Sequence, residues 1–231
     1  YRQSARVADA SFEDDAGNVY LARGPRVRLS AEMVRDQALF AAGLLSEKMY
    51  GPPVNPPQPK LGVNAAFGSA IDWQTSSGED QYRRALYTTW RRSNPYPSMA
   101  TFDAPNREVC TVRRNRTNTP LQALVTLNDP VYVEAARGLA RRMAGAGSLP
   151  SEKAIRGFRI CLGRPPGEDE LAALLDLYGR ARDRFDDDPA QAGRLMNAED
   201  AESADDATIE LAAWTVVGNV LLNLDEMLMK R

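Results

Sequence analysis

Thr119-Pro120-Leu121-Gln122-Ala123-Leu124-Val125-Thr126-Leu127-Asn128-Asp129-Pro130 carries two helix starts in succession. Thr119 offers a capping oxygen, Pro120 suits a first turn, and Gln122 can complete a capping box. The helix begun there runs to about Leu127. Asn128-Asp129-Pro130 stops it and caps a second helix, which continues to about Met143 before Gly145 and Gly147 close it. Downstream the same punctuation repeats. Ser151 opens a helix through Leu162, Gly163 stops it, and Arg164-Pro165-Pro166 turns the chain. A further helix spans 167–185, with Glu168, Asp169 and Glu170 in a first turn that favours negative charge. Asp186-Asp187-Asp188-Pro189 breaks it, 197–206 is a polar linker, and the last helix covers about 207–228. Four or five helices with short connections predict a bundle.

Upstream the pattern dissolves. Residues 1–27 are polar and irregular, with a turn at Gly17-Asn18. Ser30 caps a helix predicted over 31–49, with Met33, Leu39, Phe40 and Leu44 on its apolar face. Gly51-Pro52-Pro53 ends it, and the five prolines of 51–62 favour extended geometry, read as a rigid surface spacer. Residues 63–80, including Trp73, read as a surface excursion. The β-branched and aromatic run 85–90 predicts a short strand, with helix as the competing reading. Residues 94–118 lack periodicity, and a loop of that length is functional or tightly pinned. The expected fold is mainly α: a helical bundle over 119–231 and a loop-rich part over 1–118 with a short strand pair. Both belong to one C-terminal domain of a larger protein, since the sequence opens on Tyr1 rather than Met.

Composition narrows the chemistry. The 231 residues include no histidine, which excludes Ser-His-Asp and Cys-His catalysis, His-ligated metal sites and haem attachment through Cys-x-x-Cys-His within the chain. No metal site or resident cofactor is expected. The two cysteines, Cys110 and Cys161, are a disulfide pair if the protein is exported and buried thiols otherwise. The apolar run 211–224 is interrupted by Thr215, Gly218, Asn219 and Asn223, so it reads as a buried helix and not a membrane span.

Charge is unevenly spread. Residues 82–142 hold eleven arginines against four acids, whereas 165–231 holds sixteen acids against six bases. Such polarity predicts either a charged binding surface or two halves that attract each other. Nucleic acid is not the expected partner, because the pI is about 5.4 and no recognition motif is present.

The stretch 101–122 holds Arg107, Arg113, Arg114 and Arg116 and leads into a helix N-terminus. Guanidinium groups grip carboxylate, sulfate or phosphate with two donors at once, and a helix start adds N–H groups. The candidate ligand-binding set is Asp103, Arg107, Arg113, Arg116, Thr117, Asn118, Gln122 and Asn128. The competing reading is that these arginines clamp the loop, pairing with Asp103, Glu108, Asp129 and carbonyls. Asp72, Asp103, Glu108 and Asp129 are carboxylates at loop or turn positions, where a glycoside-cleaving pair would sit, but spacing in sequence gives no separation in space. Asp186-Asp187-Asp188 lacks the spacing of a calcium loop.

Phe102-Asp103-Ala104-Pro105, Arg107-Glu108-Val109-Cys110, Arg116-Thr117-Asn118-Thr119-Pro120-Leu121-Gln122-Ala123-Leu124 and Leu127-Asn128-Asp129-Pro130 together resemble the planctomycete-type C-terminal domain of unknown function. Arg23-Gly24-Pro25-Arg26, Gly163-Arg164-Pro165-Pro166 and Leu221-Leu222-Asn223-Leu224-Asp225-Glu226 extend the resemblance. That domain typically follows a planctomycete cytochrome c module. The resemblance implies an exported, extracytoplasmic protein, a Cys110–Cys161 disulfide, haem confined to a separate upstream module, and upstream domains of the same polypeptide as partners. It implies no catalytic residues. The expected role is a noncatalytic interaction or ligand-binding module contacting anionic glycans through the arginine loop. The alternatives are a carbohydrate-active domain using Asp103 for proton transfer, and a structural module that covers the upstream domains.

Overall fold

The computed structural model describes residues 15–59, 73–92, 95–198 and 202–230. Asp72, most of the 63–80 excursion and the first fourteen residues of the upstream polar stretch lie outside them. The elements run β1 (Val27–Arg28), α1 (Ala31–Ala42), two short 3₁₀ turns (Gly78–Tyr82 and Ala85–Tyr87), α2 (Pro97–Thr101), α3 (Pro120–Asn128), α4 (Pro130–Ala144), α5 (Pro150–Leu162), α6 (Glu168–Asp187), α7 (Pro189–Met196), α8 (Asp206–Asn223), α9 (Asp225–Leu228) and β2 (Met229–Lys230). The chain is mainly helical, as expected.

The bundle is built around α8. Its Ile209, Ala212, Ala213, Trp214, Val217, Leu221 and Leu222 are buried, and a helix apolar on all sides has to sit inside. Helix α4 lies along it through Ala135, Ala136, Leu139 and Ala140, all fully buried. Gly218 permits the close approach, since a Cβ there would stand 3.1 Å from the Ala136 carbonyl oxygen. Trp214 stacks on Tyr178 of α6 with ring centroids 4.2 Å apart. Helix α7 was not foreseen. The Asp186–Pro189 run does break α6, but Asp188 also accepts from the Gln191 N–H and Pro189 takes the first position, so the breaker is a helix start too. The single last helix expected over 207–228 divides at Leu224, whose ψ of 142° ends α8 and caps α9.

Upstream, α1 ends seven residues before its predicted limit. Gly43 adopts the left-handed region (φ +73°), Leu44 N–H reaches back to the Leu39 carbonyl at 2.9 Å, and Arg142 donates to the carbonyls of Phe40 (3.2 Å) and Ala41 (2.6 Å). The buried face of α1 is Val34, Arg35, Ala38 and Leu39, while Met33 and Phe40, assigned to it by periodicity, face solvent. The 85–90 run is not a strand; it begins with a 3₁₀ turn. The strand pair lies elsewhere, antiparallel, with Val27 opposite Lys230 and Arg28 opposite Met229.

The proline segment is no surface spacer. Val54 N–H donates to the Tyr87 carbonyl and its own carbonyl accepts from Thr89 N–H, both at 2.8 Å. The Pro56 and Pro57 carbonyls receive Trp73 Nε1 (2.9 Å) and the Tyr96 hydroxyl (2.5 Å), and Trp73 stacks on Tyr96. The stretch 94–118 likewise contains α2, whose Ser98 and Met99 are buried.

Irregular chain leaves carbonyls without partners, and here buried guanidinium groups supply the donors. Arg35 donates to the Arg83 and Gln81 carbonyls, each at 2.7 Å, and Arg83 to the carbonyls of Pro52 (3.1 Å) and Tyr50. Both arginines are 1% exposed. Among the described residues no salt bridge joins 82–142 to 165–231; Glu170 and Glu226 meet Arg164, Asp176 meets Arg180, Asp186 and Asp206 meet Arg182, and Glu210 meets Lys153. Among those residues no helix is long and apolar enough to cross a membrane.

Candidate functional site

The arginine stretch forms one loop between α2 and α3, and its neck is closed by hydrogen bonds. Asp103, in the left-handed region (φ +62°), accepts from the Thr117 backbone N–H at 2.6 Å and from the Thr117 hydroxyl at 2.8 Å. Gln122, 1% exposed, ties this neck to the rest of the fold. Its amide nitrogen lies 3.0 Å from the Thr101 carbonyl, 3.1 Å from the Thr117 hydroxyl and 3.4 Å from Asp103, and its carbonyl oxygen accepts from Arg28 of β1 at 2.6 Å. The capping box is therefore only half formed. Thr119 does accept from Gln122 N–H, but the Gln122 side chain points inward as a junction instead of turning back to the cap.

Beyond the neck, residues 106–118 are exposed throughout. Two anchors hold them. Trp90 Nε1 donates to the Asn106 carbonyl at 3.2 Å, with the Arg107 guanidinium 5.5 Å from the Trp90 ring centre. Arg114 donates to both oxygens of Glu32, in the first turn of α1, at 2.9 Å each. Burial works to raise the Glu32 carboxyl, but the backbone hydrogen bond at its helix start and Arg114 outweigh it and hold the group below the usual range.

Among the described residues Arg113 and Arg116 enter no ion pair, and with Arg114 and Asn115 they line a shallow concavity. The structure thus divides the arginines: Arg107 and Arg114 clamp, while Arg113 and Arg116 are presented. The clamping partners differ from those expected. Asp103 takes Thr117 and Gln122 rather than an arginine, and Glu32 takes the place assigned to Glu108 and Asp129. Of the candidate set, Asp103, Thr117 and Gln122 converge on the neck, and Arg107, Arg113, Arg116 and Asn118 lie on the exposed loop. Asn128 stands apart, donating to the Leu124 carbonyl at the far end of α3. Arg28 and Glu32 were missed; they come from some 80 to 90 residues away, and nothing local in the sequence marks them.

The expected disulfide is absent. Cys110 is exposed on the loop and Cys161 buried in α5, and both are free. Burial pushes the Cys161 thiol up to about 12, which keeps it protonated and unreactive.

A second polar group lies behind the site. Asp129 caps α4, accepting from Val131 N–H at 2.9 Å, and burial pushes its carboxyl up to about 6. Tyr96 and Tyr132, both buried, have their hydroxyl ionisation raised by burial and then by the Asp129 charge. With Asp129 3% exposed, this cluster is shut off from solvent.

A protein-family model described as PSD1, protein of unknown function (DUF1553), matches residues 1–178. The match takes in the whole arginine loop and ends within α6, before the 221–226 string. No curated protein and no solved structure matches the chain.

Proposed function

The chain belongs to the DUF1553 family of proteins of unknown function, and from that premise we propose that it is a noncatalytic interaction module which binds an anionic partner through Arg113 and Arg116. One observation carries this reading: two arginines stand exposed, without ion pairs among the described residues, on a loop whose neck and flank are fastened by Asp103, Gln122, Trp90 and Arg114. An arginine on a loop whose backbone is already anchored loses less freedom when it grips a carboxylate or sulfate. Anionic polysaccharide is one source of such groups. The resemblance to planctomycete proteins supports an extracytoplasmic setting beside a cytochrome module that holds the haem, with upstream domains as neighbours. An enzymatic reading has less behind it, because the oxygens of Asp103 are engaged by Thr117 and Gln122 and Asp129 is sealed.

A thermal-shift screen against neutral, carboxylated and sulfated oligosaccharides at low and moderate salt tests the proposal. Stabilisation by anionic sugars alone, weakened by salt and lost in Arg113→Ala/Arg116→Ala, is the expected result. A shift of equal size with neutral sugars, or one that the double variant retains, removes the arginines from the site.

A further inference from the structure

Helix α3 turns its leucines outward and, besides Val125 packed against the core, buries polar side chains. Its polar Gln122 and Thr126 are buried (1% and 0% exposed), while Leu121, Leu124 and Leu127 are 58%, 57% and 38% exposed. The cause is visible. Gln122 is drawn inward by Arg28 and Thr101, and the Thr126 hydroxyl by the Asn223 side chain of α8 at 2.6 Å. These bonds fix the rotation of the helix and turn the leucines out. At spacings of three residues the leucines form one stripe, directly after the exposed loop that bears Val112, Arg113 and Arg116. Scattered exposed leucines need no explanation, but a continuous stripe that follows in sequence two exposed guanidinium groups, free of ion pairs among the described residues, does.

We infer that the α3 stripe and the arginine loop form one docking face for a polypeptide helix with apolar residues along one side and Asp or Glu at its margin. This deepens the interaction reading above and rests on it. Three half-exposed leucines fall short of the roughly 800 Å² per partner of a stable interface, so the loop has to contribute, and it contributes positive charge. A second copy laid on the same face sets the arginines of 106–118 against each other with Glu108 as the one carboxylate of that stretch, so the charges repel more than they attract. A sulfated sugar satisfies the arginines but leaves the leucines in water. An acidic amphipathic helix answers both, in the manner of a helix lying in a groove.

The test is a displayed library of helical peptides panned against the 231-residue chain at moderate salt, with binders measured by fluorescence anisotropy. Enriched peptides are expected to carry apolar residues at i, i+3 or i+4 and i+7, flanked by Asp or Glu. Their affinity should fall on the order of tenfold or more in Leu121→Ser/Leu124→Ser and become less salt-sensitive in Arg113→Ala/Arg116→Ala. Failure to enrich such peptides, or equal binding by the leucine variant, overturns the inference. So does salt-sensitive self-association through α3, seen by sedimentation velocity and removed by the leucine variant. If sulfated oligosaccharide binds, is lost in the arginine variant and is untouched by the leucine variant, the docking helix is wrong while the anion-binding reading stands. If neither peptide nor sugar binds, both fall.

Discussion

Helices α3 and α8 pack against each other yet obey opposite rules. In α8 the apolar residues are inside, Trp214 at 0% exposure and Leu221 likewise, and apolar area removed from water decides its place. In α3 the leucines are outside, and the helix is oriented by what Gln122 and Thr126 bond. Leaving a buried amide such as that of Gln122 without partners costs as much as a leucine gains by burial, so a polar junction can set the rotation of a short helix. The contrast shows that hydrophobic pattern reports burial only where no polar group holds the helix by a stronger claim.

Three changes break or sharpen this contrast, in falling order of effect. Trp214→Ala empties the centre of α8 and should cost roughly 3–5 kcal/mol, read from denaturant unfolding. Asp129→Asn probes the buried carboxyl beneath the N-terminus of α4, near Arg35, Tyr96 and Tyr132. Its folded pKa is raised, to about 6 from 3.8, so its stabilising contribution is full below about pH 4 and is lost as pH rises through 6. That loss is about 3 kcal/mol. Asparagine keeps the cap but does not ionise, so the variant's stability should fall less between pH 4 and 6 than the wild type's. Identical slopes would show that Asp129 titrates normally. Gln122→Leu removes the junction that turns α3, and leaving Arg28 and the Thr117 neck short of a partner should cost roughly 1–3 kcal/mol. Faster hydrogen exchange at the Thr117 amide, with the α8 amides unchanged, would locate that loss in the loop.

How much of this was legible depended on whether the decisive contact was local. Thr119-Pro120 and Asp129-Pro130 mark helix starts because cap and first turn lie within three residues, and both starts stand where they were read. The arginine loop declared itself by composition alone. Gly43 was passed over because Leu44 prolonged the apolar pattern beyond it, and the Arg142 guanidinium that takes the last carbonyls of that helix comes from a hundred residues on. The proline segment was misread for the same reason: its partners Tyr87, Trp73 and Tyr96 come from three separate stretches. The inversion of α3 was hidden too, since Arg28 and Asn223, which draw its polar face inward, lie in β1 and α8. The sorting of the arginines into clamps and free groups needed Glu32 and Trp90, which the loop sequence does not contain.

The central claim is that Arg113 and Arg116 are there for a partner and not for the fold. The most direct test is to measure, on the Arg113→Ala/Arg116→Ala chain, both the unfolding free energy and the thermal shift caused by a sulfated oligosaccharide. The account predicts a stability within about 0.5 kcal/mol of wild type, as for surface substitutions, together with loss of the shift. A drop of several kcal/mol would make these arginines clamps like Arg114 and contradict it.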